Sequence, residues 1–498
     1  MHSFTRICFV LGFLFCLTEQ QCNGQRASGE AVVFSDSIFN YIGMEGFGGS
    51  SALTPFWMQA NQFGTVSKTS PALSLRAGWE QYYTLGKAES KIRNEWRVGI
   101  GAEAVANISE NKKLLIPQLH VTLRYKNWEL YAGRKKQWIG LADSTLSSGS
   151  YIWSGNALPI PKIHLGTTSF IAIPYTKGWI SFRAFYSDGW FESNRPVTSN
   201  LKLHQKALYA RIGKVNSALK FYGGFNHQVQ WGGSSPYNTE EGEMPAGFKN
   251  YINAVTGKAH SNNSGVFDNT GRVGNHLGTI DLGMEIETYS ASIFLYRQNI
   301  YEDGSLFWLS NIQDGLNGIR FRRKNNYGSG FTVNTVVLEY LYTKSQGGNV
   351  ADWDKPSWLR GKDDYFNNGQ VRDGWGYYDR TIGTPFISPT SSTNWKWPAY
   401  ADFFTSNNRV SVLHLGISGY LFQQISWAGK FSWSDNSGTY NQRFKNNPGQ
   451  FSGLITIQSK LNFLGGLFFK GSFAADRGQL YPVNSGFSLG LQKIFLHN

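Results

Sequence analysis

The sequence predicts an all-β chain: a transmembrane antiparallel β-barrel of about 16–20 strands, preceded by a short helical segment that could plug it. Three observations carry this: a two-residue hydrophobic period, an alternation of short turns with long connections, and an unusual composition. Of 498 residues, 41% are hydrophobic, 15% aromatic and only 16% charged, with 56 Gly against 15 Pro. Soluble domains carry roughly 25% charge. The 77 aromatics exclude a disordered chain, and no apolar run reaches the ~18 residues of a spanning helix. Hydrophobicity must therefore be distributed by alternation.

Residues 1–24 read as a signal peptide, with Arg6 ahead of the apolar run Ile7–Leu17 and small residues before Gln25. Cys8, Cys16 and Cys22 all fall inside it. The exported chain is then free of Cys, which removes thiol chemistry, Cys-based zinc sites and disulfides. Residues 25–66 form an N-terminal segment with one legible helix: Thr54 as N-cap, Pro55 at the first position, Gly64 as terminator. The barrel is expected over 67–498.

From about residue 70 the period is two. In 92–104, Ile92, Trp96, Val98, Ile100 and Ala102 alternate with Arg93, Glu95, Arg97 and Glu103. In 118–126, Leu119, Val121, Leu123 and Tyr125 alternate with polar residues, and Lys126-Asn127 turns the chain into Trp128. Ile280, Leu282, Met284 and Ile286 repeat the pattern, followed by a run to Tyr296. Similar segments fall at 179–187, 206–213, 217–225, 331–342, 410–421, 424–433, 453–463, 467–474 and 486–496. A helix would not place a polar residue at every second position. A soluble sandwich hides the apolar face of such strands; a barrel turns it to lipid and keeps a polar lumen. The barrel is favoured by segments of ~10 residues, by aromatics near strand ends, and by the long connections 135–178, 226–278 and 345–408.

Residues 133–167 carry Gly133, Arg134, Trp138, Gly140, Leu146, Ser154, Asn156, Ala157, Pro159 and Pro161. This segment resembles the signature of Wzi-type capsule assembly proteins. TPFWMQANQFG (54–64) and GWGYYDRTIGTPF (374–386) also look like stretches of that family. The resemblance implies an outer-membrane barrel of a gram-negative cell, with about eighteen strands and a helical plug on the periplasmic side. It further implies a lectin-like, non-enzymatic attachment point for capsular polysaccharide. A carbohydrate-selective porin and an outer-membrane hydrolase are the alternatives. Partners beyond the polysaccharide would be outer-membrane lipid, lipopolysaccharide and the barrel-insertion machinery, and no cofactor is called for.

Candidate polysaccharide contacts lie in the long loop 345–408: Trp353, Trp358, Trp375, Trp395 and Trp397 with Asp363, Asp364 and Arg380. Sugars are held where an aromatic face meets their C–H groups and carboxylates, amides or Arg take their hydroxyls. The competing account is that these side chains pack the loop onto itself. Arg134, Lys135, Lys136 and Arg320, Arg322, Arg323, Lys324 either hold uronate or phosphate or serve as lumenal charge. Nucleic acid is a poor explanation of the +14 net charge in an exported barrel. Ser154–Pro161 is too Pro-rich for a central strand and reads as a loop folded inward. Gly486-Phe-Ser488-Leu-Gly490 has nucleophile-elbow spacing but lies in an alternating strand. Asp364–Gly369 fails the calcium-loop pattern at Phe366, and no metal-ligand pair of His appears.

Overall fold

The computed structural model describes residues 32–86, 96–239, 241–258, 272–302, 309–324, 330–349, 362–394, 402–462 and 466–497. The leader assigned to 1–24 lies outside them.

The first strands are β1 (Val32–Gly49), β2 (Ala72–Gly86), β3 (Trp96–Ile108), β4 (Lys113–Tyr125) and β5 (Trp128–Arg134). After a long connection come β6 (Lys162–Thr167), β7 (Ile171–Ala172), β8 (Ile180–Trp190), β9 (Lys202–Ile212) and β10 (Leu219–Trp231). Next are β11 (Asn275–Glu287), β12 (Ala291–Glu302), β13 (Gly315–Arg323) and β14 (Phe331–Tyr342). A two-residue pair, β15 (Gly376–Tyr377) and β16 (Arg380–Thr381), sits apart inside the longest loop. The wall resumes with β17 (Val410–Leu421), β18 (Ile425–Asn436), β19 (Gly449–Leu461), β20 (Leu467–Gly478) and β21 (Asn484–His497).

Every wall strand pairs antiparallel with its neighbour, and β1 pairs with β21 from Ile38↔His497 to Gly49↔Gly486, closing the sheet. The sheet has 19 strands, but β6 and β7 both pair with β8 and share one place in the wall. The barrel is therefore eighteen strands around. Closure gives every backbone amide in the hydrocarbon a partner, which an open edge would not. Among the described residues no helix is long and apolar enough to cross a membrane.

Alternation sorts the side chains as the sequence predicts. On β4, Leu119 and Val121 point out and are exposed, while His120 and Thr122 point in and are buried. On β21, Phe487, Leu489 and Leu491 face out and Ser488 faces in. The lumenal charges pair between the wall and loop 135–161: Lys136 with Glu103 at 2.5 Å, Lys135 with Glu129 at 2.8 Å and Arg322 with Asp143 at 2.9 Å. Arg320 lies between Asp143 and Glu285. These Arg and Lys residues serve as lumenal charge.

The wall differs from the sequence reading in three places. It begins at Val32, not after residue 66. The alternation is blurred there because inward-facing Phe47 is covered by Met58 and Val66 and so is apolar. The expected loop 135–178 contains β6, whose Ile163 and Leu165 face out. The expected loop 226–278 shrinks to 232–274.

The long connections 50–71, 135–161, 191–201, 232–274, 303–314, 343–409 and 437–448 all leave one end of the barrel. Turns such as Lys126-Asn127 and 422–424 close the other end, where β1 starts and β21 finishes. In outer-membrane barrels the long-loop end is extracellular. The lumen at that end holds a packed apolar layer. Tyr151, Ile152 and Ile160 meet Tyr365, Phe366 and Trp375, against inward Leu203, Leu277, Leu316 and Leu341 of the wall.

Leu282 faces out near the middle of β11 and is 54% exposed. Leu282→Arg is expected to cost ~2–4 kcal/mol, the penalty of a cation near the bilayer midplane. Reversible urea unfolding in lipid vesicles measures it; a loss under ~0.5 kcal/mol would place that side chain outside the hydrocarbon.

Candidate functional site

Three loops build the extracellular end. The first, 50–71, carries the helix α1 (Phe56–Gln59), a single turn. Thr54 is not its cap: Pro55 occupies that position and no side chain of the loop bonds to it. Asp476 of β20 accepts the Phe56 N–H at 2.8 Å instead, and Ser452 holds that carboxylate at 2.6 Å. The turn ends at Ala60, four residues before Gly64. Gly64 has φ +65°, and a Cβ there would sit 2.7 Å from the Leu158 amide nitrogen, so it permits close approach of the second loop. Trp57 donates to Ser432 at 3.1 Å, and the Lys430 ammonium stands 4.9 Å from its ring. The helix therefore enters the lumen from the extracellular end. The periplasmic plug implied by the family resemblance is not what this helix forms, because β1 has already carried the chain across the membrane.

The second loop, 135–161, holds the signature residues. Gly133 has φ +120°, and a Cβ would lie 2.1 Å from the Leu119 carbonyl oxygen, so only Gly closes this strand end. Gly140, at φ +130°, leaves no room beside the Gln298 amide and Ser150 hydroxyl. Arg134 donates to the Tyr377 hydroxyl at 3.0 Å. Ser154 donates its hydroxyl to the Gly383 carbonyl at 2.6 Å. Asn156 donates to the Thr381 carbonyl at 3.0 Å and accepts the Asn61 N–H at 3.1 Å. Ala157, Pro159 and Pro161 carry the chain through the buried layer, and Trp138 packs on it half-buried. The segment is the inward-folded loop expected, and it staples the other two together.

The third loop, 343–409, supplies the tip. Trp375 is 0% exposed within the packed lumen. Its indole offers no face to a sugar, so it packs the loop, the competing account that the sequence left open. Asp364 accepts from Asn367 at 3.1 Å and Asn408 at 2.5 Å, and burial raises its pKa above the usual carboxylate range. Asp363 accepts from Asn311 at 2.5 Å. Both carboxylates hold the loop. Trp353, Trp358, Trp395 and Trp397 lie outside the described residues. Arg380 is buried, donating to Gln59 at 3.1 Å and to the Val66 carbonyl at 2.6 Å; burial draws its guanidinium down to about 10.

Where these loops meet loop 479–483, a cleft of about 140 Å³ remains. Lys68 donates to Asp379 Oδ2 at 2.7 Å and to Ser392 at 3.3 Å across its mouth. Ser391 donates to the other Asp379 oxygen at 2.9 Å. Asn156, Asn484 and Gln59 add amides, and Phe56 stacks on Tyr481 at 5.4 Å in its wall. The Thr54 hydroxyl, buried without a partner, lines it as well. Of the expected contacts among the described residues, only Arg380 is here. Asp379 sits beside it in a family-like stretch and was within reach of the sequence; Lys68, Ser391 and Tyr481 come from separate loops that only the fold unites. Among the described residues no histidine lines the cleft, and Ser488 of the apparent elbow is in extended β21, donating to Glu45 at 2.9 Å. The cleft is a hydroxyl-and-amide surface with one exposed ion pair, suited to binding a polar ligand.

A closed barrel, apolar outside and filled by its own loops, defines an outer-membrane barrel with a solid extracellular cap. The family model for the capsule assembly protein Wzi matches residues 73–412, and the chain belongs to that family. Among solved structures it is similar to Wzi of Escherichia coli, described as a carbohydrate-binding β-barrel involved in group 1 capsule assembly. That match has 14% identity and a TM-score of 0.57, over 92% of this chain and 84% of that one. Acinetobacter baumannii OccAB4 aligns at 10% identity and a TM-score of 0.46, over 93% and 99%. No curated protein matches the sequence.

Asn156→Ala removes bonds to both neighbouring loops and leaves their buried backbone groups unpaired, at ~1–3 kcal/mol each. Limited trypsin digestion of intact cells is expected to cut within 54–68 or 376–392 in this variant only. Equal resistance in both forms would show that the loop holds without this staple.

Proposed function

We propose that the protein binds capsular or other surface polysaccharide at its extracellular cap and holds it on the cell, without catalysing a reaction on it. The single observation that supports this most is the cleft at the cap, with hydroxyls, amides and the Lys68–Asp379 pair facing the medium above a filled lumen. A cleft of ~140 Å³ is smaller than the ~300–1,000 Å³ of ordinary small-molecule sites. It fits one sugar unit of a chain lying across the cap, not a chain threading the barrel. The porin alternative is disfavoured because the packed layer of Tyr151, Tyr365 and Trp375 crosses the lumen.

Trp353, Trp358, Trp395 and Trp397 belong to the same proposal as aromatic platforms. Trp395 directly follows Asn394, which bonds to Leu480 and Gln479 at the cleft wall. The outward apolar belt would meet outer-membrane lipid and lipopolysaccharide, and the alternating C-terminal strand would be read by the insertion machinery.

Loss of the gene is expected to release polysaccharide into the medium while its synthesis continues. Lys68→Ala with Asp379→Ala is expected to weaken binding of the isolated polysaccharide to the purified barrel about tenfold, the effect of ~1.4 kcal/mol. Trp395→Ala should do the same if its ring stacks on sugar. Surface retention and affinity unchanged in all three would overturn the proposal.

A further inference from the structure

Loop 232–274 sends Met244 into the lumenal packing, but its later part takes another course. It carries the helix α2 (Gly247–Thr256), and cross-strand register fixes where that helix lies. Phe225 pairs with Leu208 and with Ile280, and Phe225 and Leu208 are exposed on the lipid-facing side. Continuing along the same face toward the long-loop end, His227 pairs with Lys206, and Val229 with His204 and His276. The opposite face bears Gln228 and Gln230, which bond to the Ile152 and Gly374 carbonyls inside the lumen. His204, Val229, Trp231 and His276 are thus outward-facing, yet buried. What covers them is α2 together with Val273 just before β11.

The helix is fastened there. Ala254 packs on Val229, Trp231 and Val273, with Tyr251 against them. The Tyr251 hydroxyl donates to Asp188 at 2.9 Å and meets Tyr186 at 2.5 Å, while the Lys206 ammonium donates to the Val255 carbonyl. Gly257, at φ +68°, ends the helix. At 3.6 residues per turn the remaining positions form two further edges. Phe248, Ile252 and Val255 share one arc; Lys249, Asn253 and Thr256 share the next. Phe248 is 78% exposed and Ile252 42%.

We propose that α2 is an interfacial foot: a helix clamped to the outside of the barrel whose Phe248–Ile252 edge inserts among the acyl chains of the outer leaflet. The occupant follows from continuity. Leu208 and Phe225, two residues below Lys206 and His227 on the same strands, already belong to the lipid-facing belt, and the apolar edge of α2 extends that belt at its rim. The polar edge lies at headgroup level, as in helices that sit ~5–10 Å into an interface. The foot would fix the height at which the cap stands above the membrane.

The chain's own cysteines all fall in residues 1–24, so an introduced thiol on the barrel is the only one there. Full-length protein bearing Phe248→Cys, Ile252→Cys or Asn253→Cys is purified from the outer membrane and labelled with bimane. It is then placed in phosphatidylcholine vesicles with or without lipid carrying a doxyl quencher near its headgroup. Heat-modifiable gel mobility verifies the fold of each variant. Quenching at positions 248 and 252 is expected to exceed that at 253 by about threefold, with aqueous iodide showing the reverse order. Equal quenching at all three positions overturns the proposal. So does quenching at 248 that disappears as protein density rises, because that edge would then contact a second copy.

Discussion

Hydrocarbon offers no hydrogen bonds, so a sheet that crosses it must have no edge. The pairing of β1 with β21 along twelve register positions, Ile38↔His497 to Gly49↔Gly486, meets that constraint, and the remaining architecture follows from it. Closure fixes one face of each strand toward lipid and the other toward a lumen. Eighteen strands enclose a lumen far wider than strand side chains alone can fill. Such a space either stays wet or receives chain from the ends. Here the extracellular loops enter it, chiefly 50–71, 135–161 and 343–409, and the polar inner face becomes the surface that holds them.

The hold is largely polar, and its parts are satisfied in groups. Glu339 of β14 accepts from Ser147 at 2.7 Å, from the Ser148 N–H at 2.6 Å and from Tyr296. Asp314 takes the Ser345 and Gln346 N–H groups and the Tyr365 hydroxyl, all within 2.9 Å. Arg195 and Asp373, both buried, pair at 3.3 Å, and the remaining donors and acceptors go to Thr198, Gly374 and Gly376. A buried charge is costly unless its partners are complete, and in these three cases each is surrounded by backbone or hydroxyl groups of the loop it holds. The cap that carries the cleft is in this way joined to the wall, which suits the role proposed for it of holding a long polymer.

The wall was legible in the sequence where both faces obey their solvents. Leu119, Val121, Leu282, Phe487 and Leu489 alternate with polar partners because lipid lies on one side and paired charge on the other. It was illegible where a loop replaces water inside, as at Phe47, or where a strand is six residues long behind prolines, as at Lys162–Thr167. The inward fold of Ser154–Pro161 was readable from its prolines. The cleft was not: Lys68, Asp379 and Tyr481 are separated by hundreds of residues, and nothing local marks them as neighbours. The aromatic and acidic richness of loop 345–408 pointed to sugar contacts, yet Trp375, Asp363 and Asp364 serve packing and loop bonding. Composition cannot tell a ring that faces a ligand from one that faces its own fold. α2 was missed for a related reason, since its periodic stretch is short and its partner face is the outside of a barrel.

The claim on which this picture rests is that the lumen is filled by its own chain. Single-channel recording across a planar bilayer tests it most directly. The purified barrel, shown to be inserted by protection of its strands from protease, is expected to give no steady conductance steps. Stable, porin-like openings in the unaltered protein would contradict a filled lumen and favour the carbohydrate-conducting channel instead.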